Sequence, residues 1–125
     1  MSNSKKKVLY VEDNLDNQFL IKYYLKTEPY ELHIAGTGQQ AIELIKSSEF
    51  DVFLVDLNLP DGYSGADIVE EIRKSETNSK KPVAVITAFT QRDRESNNVE
   101  IDADRFVTKP VKKPDFIQLL KELCA

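Results

Sequence analysis

Glu12-Asp13, Asp56, Thr87, and Lys109 followed by Pro110 are the residues whose types could do chemistry together. Each falls at the end of a short apolar run that reads as a β-strand. Parallel strands bring such ends together at one edge of a sheet. Three acids in one cleft repel each other, and their carboxyl pKa values rise unless a cation compensates. Mg²⁺ suits that role, because it takes oxygen ligands, keeps several waters and uses one or two carboxylates beside a phosphate. Asp13 and Asp56 are the expected direct ligands, with Glu12 acting through a water. The backbone carbonyl of Asn58 is the expected ligand from the loop that follows.

A carboxylate is also a nucleophile towards phosphorus, forming an aspartyl phosphate. Asp56 is the candidate, because it stands alone at the end of its strand. Lys109 offers a point charge to one phosphoryl oxygen and Thr87 a hydroxyl to another. Positioning and charge neutralisation carry most of the catalysis in such transfers. Taken singly, each residue reads as a turn, cap or loop residue. Their shared place at strand ends makes them one site.

The elements that must hold them follow from periodicity. Val8–Val11, Leu32–Ala35, Val52–Val55, Val83–Ile86 and Phe106-Val107 are short apolar runs of the kind buried on both faces of a parallel sheet. Between them lie helical patterns. Asn14 caps a helix over 15–27 that carries Phe19, Leu20, Tyr23 and Tyr24. Thr37 with Gln40 forms a capping-box pattern ahead of Ala41, Leu44 and Ile45. Ser64 with Asp67 precedes Ile68, Val69 and Ile72, and Ser75 to Lys81 reads as a polar loop. Thr90 to Asp102 reads as a short, loosely packed helix. Pro114 opens the last helix, with Phe116, Leu119, Leu120 and Leu123 on its apolar face. Five alternations of strand and helix predict a parallel sheet between two helix layers. In open sheets of this kind, ligands bind outside the carboxyl ends of the strands at a switch point.

The 125 residues are read as one domain spanning 1–125, large enough for a core without staples. A net charge of −4 argues against a nucleic-acid partner, and Lys5-Lys6-Lys7 reads as a solubilising lead-in to a strand. No apolar run is long enough for a membrane span, and no signal-peptide core follows the N-terminus. The lone Cys124 admits no disulfide within the chain, which suits a reducing cytoplasm.

With these residues in place, the chain resembles the receiver domains of two-component response regulators, most of all the stand-alone, chemotaxis-type members. The likeness rests on VLYVEDN with Glu12-Asp13, FLVDLNLPDGYSG with Asp56, Pro60 and Gly65, AVITA with Thr87, and DRFVTKP with Phe106, Lys109 and Pro110. It covers nearly the whole chain. It implies a flavodoxin-like, doubly wound α/β fold with a five-stranded parallel sheet in order 2-1-3-4-5 and five helices. It also implies Mg²⁺-dependent transfer to Asp56 from a phosphohistidine on a histidine kinase or histidine phosphotransfer protein. A switch is implied too: Thr87 moves towards the phosphoryl group, Phe106 rotates inward, and the surface of the fourth helix, fifth strand and fifth helix changes for a downstream protein target. The Lys109–Pro110 bond is expected to be cis. The first helix, through Leu15 and Phe19, either helps dock the histidine-bearing partner or packs into the core.

Several positions are particular to this chain. Asp102 stands where receivers commonly carry a glycine, so 91–101 is expected to be more mobile than the other helices. Asn58 and Phe89, two residues after Asp56 and Thr87, hold the places that tune phosphoryl lifetime in the family. His33 reads as a strand-surface residue, and Tyr23-Tyr24 as core and helix surface. A monomer is the favoured state. The expected role is a signalling phosphoacceptor that catalyses only its own phosphorylation and dephosphorylation. It acts alone, within a relay, or as a domain excised from a hybrid kinase. An aspartyl-phosphate phosphatase would need a general acid at position 58, where asparagine stands. A non-phosphorylated pseudo-receiver would usually lack the aspartate or the lysine.

Overall fold

The computed structural model describes residues 5–57, 59–88 and 101–124. The chain runs β1 (Lys6–Val11), α1 (Leu15–Leu25), β2 (Tyr30–Ala35), α2 (Gly38–Ser47), β3 (Val52–Val55), α3 (Gly65–Lys74), β4 (Val83–Thr87), β5 (Arg105–Thr108) and α4 (Lys113–Leu123). All strand pairs are parallel, and the order is β2-β1-β3-β4-β5, as expected. The chain changes direction of winding at β1, which lies between β2 and β3. The crevice at the carboxyl ends of β1 and β3 is therefore the topological switch point.

Strand side chains alternate between the two faces, and the core divides accordingly. Leu9, Val11, Phe53, Val55, Val83 and Val85 pack with Ala41, Ile45, Ile68 and Ile72 of α2 and α3. Val8, Tyr10, Val52, Leu54, Ala84 and Ile86 pack with Ile21, Tyr24, Phe116 and Leu120 of α1 and α4. Because β1, β3 and β4 are covered on both sides, they read as unbroken apolar runs rather than alternating ones.

Helix starts are fixed by side chains. The Asn14 side chain accepts from the Asn17 amide at 2.9 Å. Ser64 and Asp67 form a reciprocal capping box at α3. At α2 the predicted box forms by half. Thr37 accepts from the Gln40 amide, but the Gln40 side chain turns outward and accepts from the Gly36 amide at 2.8 Å.

The helix expected over 91–101 falls almost wholly outside the described residues. Ile101, which is described, packs against the α2–α3 side of the core and is not helical. The apolar face of α1 also differs from expectation. Ile21, Tyr24 and Leu25 are buried, whereas Leu15, Phe19, Leu20 and Tyr23 are exposed. The register is set by Tyr24, whose ring lies 5.7 Å from that of Phe116 and whose hydroxyl donates to the Val111 carbonyl at 2.8 Å. That contact turns Phe19 and Tyr23 to the outside, where Lys22 and Lys113 lie over their rings.

Candidate functional site

Three backbone hydrogen bonds carry the sheet ladder one step past the strands and bring the predicted residues together. The Glu12 amide donates to Ala35 O (2.9 Å), the Asp56 amide to Val11 O (3.0 Å) and the Lys109 amide to Thr87 O (2.8 Å). Each ionisable residue is thus held at the carboxyl edge of its strand by main chain.

The side chains converge. Carboxylate oxygens of Glu12, Asp13 and Asp56 lie within 4.8 Å of one another. The Lys109 ammonium contacts Glu12 Oε1 and lies 3.2 Å from Asp56 Oδ2. Glu12, Asp56 and Thr87 are buried, whereas Asp13 is exposed at the mouth. Burial opposes charge on Glu12. Hydrogen bonds from Lys109, the Asn14 amide and the Tyr10 hydroxyl outweigh it and hold the carboxyl below the usual range. Burial likewise opposes charge on Lys109, but Glu12 and Asp56 raise its pKa above the ordinary value. Glu12 is therefore held ionised and Lys109 protonated at neutral pH.

Glu12 is fully engaged. Its Oε1 accepts from Tyr10 and Lys109, and its Oε2 from the Asn14 amide at 3.2 Å. Asp13 is exposed at the mouth, and Asp56 lies in the same acid cluster. The donor set, three close carboxylates with one ammonium, fits a hard divalent cation. Asn58 and Phe89, the expected lifetime-tuning positions, lie outside the described residues, as does the carbonyl of Asn58.

The loop after Asp56 is placed by contacts that sequence patterns do not show. A Cβ on Gly65 would sit 2.5 Å from Asp56 O and 2.8 Å from Leu57 Cα, so only glycine lets α3 begin this close to the acid. Further along, Asp61 accepts from the Gly38 and Gln39 amides, each at 3.0 Å, and caps α2 from a distance. A Cβ on Gly38 would meet Tyr63 Cβ at 2.4 Å and the Tyr63 ring at 2.6 Å.

The Lys109–Pro110 bond is cis. Phe106 is 37% exposed. His33 lies on edge strand β2, away from the pocket, and pairs with Glu31. Sequence reading missed Tyr10, Gln18 and Asp61. Tyr10 lies two residues before Glu12 on a strand, so the period of two could have paired them. Gln18, whose amide donates to Glu12 O at 2.6 Å, and Asp61 act over distances that leave no pattern in the chain.

A family model described as the response regulator receiver domain matches residues 8–121. The chain belongs to this family of receiver domains. Among solved structures, it is similar to the receiver domain of the sensor histidine kinase PA1611 from Pseudomonas aeruginosa PAO1, which has a magnesium ion coordinated in its active site cleft. The two are 26% identical with a TM-score of 0.87, over 96% of this chain and 98% of that one. TrrA from Thermotoga maritima, a response regulator in complex with Mg²⁺ and BeF, is 28% identical with a TM-score of 0.78, over 94% and 98%. The curated cell cycle transcriptional regulator CtrA of Caulobacter vibrioides is 30% identical over 89% of this chain and 47% of its own length. The receiver thus spans about half the length of the curated relatives it matches. Among the described residues, no helix is long and apolar enough to cross a membrane.

Proposed function

We propose that this receiver accepts a phosphoryl group on Asp56 from a phosphohistidine of a histidine kinase or phosphotransfer protein. The observation that carries the reading is the shared ammonium: Lys109 bridges Glu12 and Asp56 beside the exposed carboxylate of Asp13. An Asp56 oxygen forms the new O–P bond as the P–N bond to the histidine ring breaks, and the ring nitrogen keeps the electron pair. Lys109 moves its charge from the Asp56 carboxylate to a phosphoryl oxygen, and the Thr87 hydroxyl donates to another. Asp13 and Asp56 would hold Mg²⁺, which supplies charge neutralisation at the transferring group. The relatives with bound magnesium support that assignment.

Thr87 and Phe106 would then link the phosphosite to the β5–α4 surface and a downstream protein. The exposed face of α1, with Leu15, Phe19, Leu20 and Tyr23, lies beside the pocket and is the proposed docking face for the histidine-bearing partner. The acidic balance still argues for protein rather than nucleic-acid contacts by this stretch of chain. Its place is the cytoplasm, and it turns over no external substrate beyond its phosphodonor.

Incubation with Mg²⁺ and phosphoramidate should add one phosphoryl mass, mapped to Asp56. Chelation or Asp56→Asn should abolish it. Modification elsewhere, or none in the wild type, would falsify the assignment.

A further inference from the structure

Beneath Glu12 lies a hydroxyl that the proposed chemistry does not use. Tyr10 is 1% exposed, its ring packed in the cluster formed by Ile21, Tyr24, Leu54, Ile86 and Phe116. Its hydroxyl leaves that apolar setting where it donates to Glu12 Oε1 at 3.0 Å. The same oxygen accepts from Lys109. A buried phenol in a strand core costs desolvation unless its hydroxyl is paired. Here the partner is the acid that anchors the functional lysine. Behind Lys109 is a cavity of about 90 Å³, lined by Tyr10, Leu20, Ile21, Ile86, Pro110 and Val111. The lysine stem has room to shift.

We infer that Tyr10 is a positioning residue that divides Lys109 between Glu12 and Asp56. The inference rests on the receiver reading of the site. A donor on Oε1 neutralises part of the charge of Glu12. The hold of Glu12 on the ammonium weakens accordingly, and Lys109 stays within reach of Asp56 Oδ2 and of the phosphoryl group that replaces its charge. Without the hydroxyl, Glu12 draws the ammonium towards itself. Asp56 and Asp13 are then less compensated. The cation site becomes more negative while the lysine is withheld from the reacting oxygens.

Two readouts should therefore move in opposite directions. In Tyr10→Phe, Mg²⁺ measured by calorimetry should bind about threefold tighter, while phosphorylation by phosphoramidate at saturating Mg²⁺ should slow about three- to tenfold. Damaged packing would weaken both. A ring-fluorinated tyrosine at position 10 keeps the shape but is a stronger donor. It should shift Mg²⁺ affinity the other way, and it keeps the test available if Tyr10→Phe fails to fold. Unchanged affinity in both variants, or weakening in Tyr10→Phe, would show that Tyr10 only fills space. If the wild type takes no phosphate, the receiver reading fails, and the affinity arm still decides the role of Tyr10.

Discussion

The two edges of the sheet both bury polar side chains, but they use them differently. At the amino edge, Asn78 is completely buried. It donates to the Ile45 and Ser48 carbonyls (3.0 and 2.9 Å) and accepts from the Phe50 amide (3.0 Å). Nearby, Arg73 donates to the carbonyls of Ser79, Lys81 and Asp102 and pairs with Asp104, which also accepts from the Val83 amide. Nearly all of these partners are main chain. At the carboxyl edge, Tyr10, Glu12, Asp56 and Lys109 bond mainly to each other's side chains. A main-chain partner fixes one arrangement. An ammonium shared by two acids has more than one, and a phosphoryl group or a metal ion can redistribute it.

The contrast is broken most directly by exchanging the kind of damage done to each edge. Asn78→Ala removes the partner of two helix-end carbonyls and one amide at a buried side chain. Each buried orphan costs about 1–3 kcal/mol, so the variant should lose roughly 3 kcal/mol or more of unfolding free energy in urea. Phosphorylation per folded molecule should stay within about twofold of wild type. A comparable loss of rate in the folded fraction would mean that the edges are not separable.

At the opposite edge, Lys109→Met removes the cation from two buried acids. Partial exposure of the lysine tempers the cost to about 2 kcal/mol. Because the lost charge is electrostatic, millimolar Mg²⁺ should return much of that stability, and it should return none to Asn78→Ala. Equal response of the two variants to Mg²⁺ would remove the distinction. A smaller effect is expected for Arg73→Lys. The guanidinium fork spans several carbonyls that one ammonium cannot reach together, so a loss of about 1 kcal/mol is expected in the same urea assay, with no dependence on Mg²⁺.

The two edges were also unequally legible in the sequence. Glu12, Asp13, Asp56, Thr87 and Lys109 stand out because apolar runs stop abruptly at them, and a buried parallel strand leaves that signature. The strand order followed from the family resemblance, and the two-faced core explains why the runs do not alternate. Asn78 was hidden inside SETNSKK, which reads only as a polar loop, because its partners lie 28 to 33 residues away. Tyr10 was hidden by the opposite effect: VLYV reads as apolar, and the ring is indeed core while its hydroxyl is not. On α1, apolar residues occupy both the core face and the outer face. Composition alone could not tell which tyrosine pointed inward until Tyr24 met Phe116 and Val111.

Asp61 sharpens the comparison, because it sits at the carboxyl edge yet bonds as the amino-edge residues do. Its carboxylate accepts from the Gln39 and Gly38 amides at the start of α2. The Gln39 amide is the largest influence holding its carboxyl below the ordinary 3.8. Burial opposes the shift, and the Gly38 amide adds to it. A folded-state pKa below the unfolded one means that this cap is at full strength above about pH 3.8. It is lost as pH falls through the lower folded value. The Gly38 and Gln39 amide resonances should therefore titrate together with a midpoint below 3.8, and Asp61→Asn should remove that transition. If bond type rather than location decides a residue's role, the same variant should lower the melting temperature slightly and leave Mg²⁺ affinity unchanged. A midpoint at or above 3.8, or a shifted Mg²⁺ affinity, would place Asp61 with the exchangeable charges of the pocket instead.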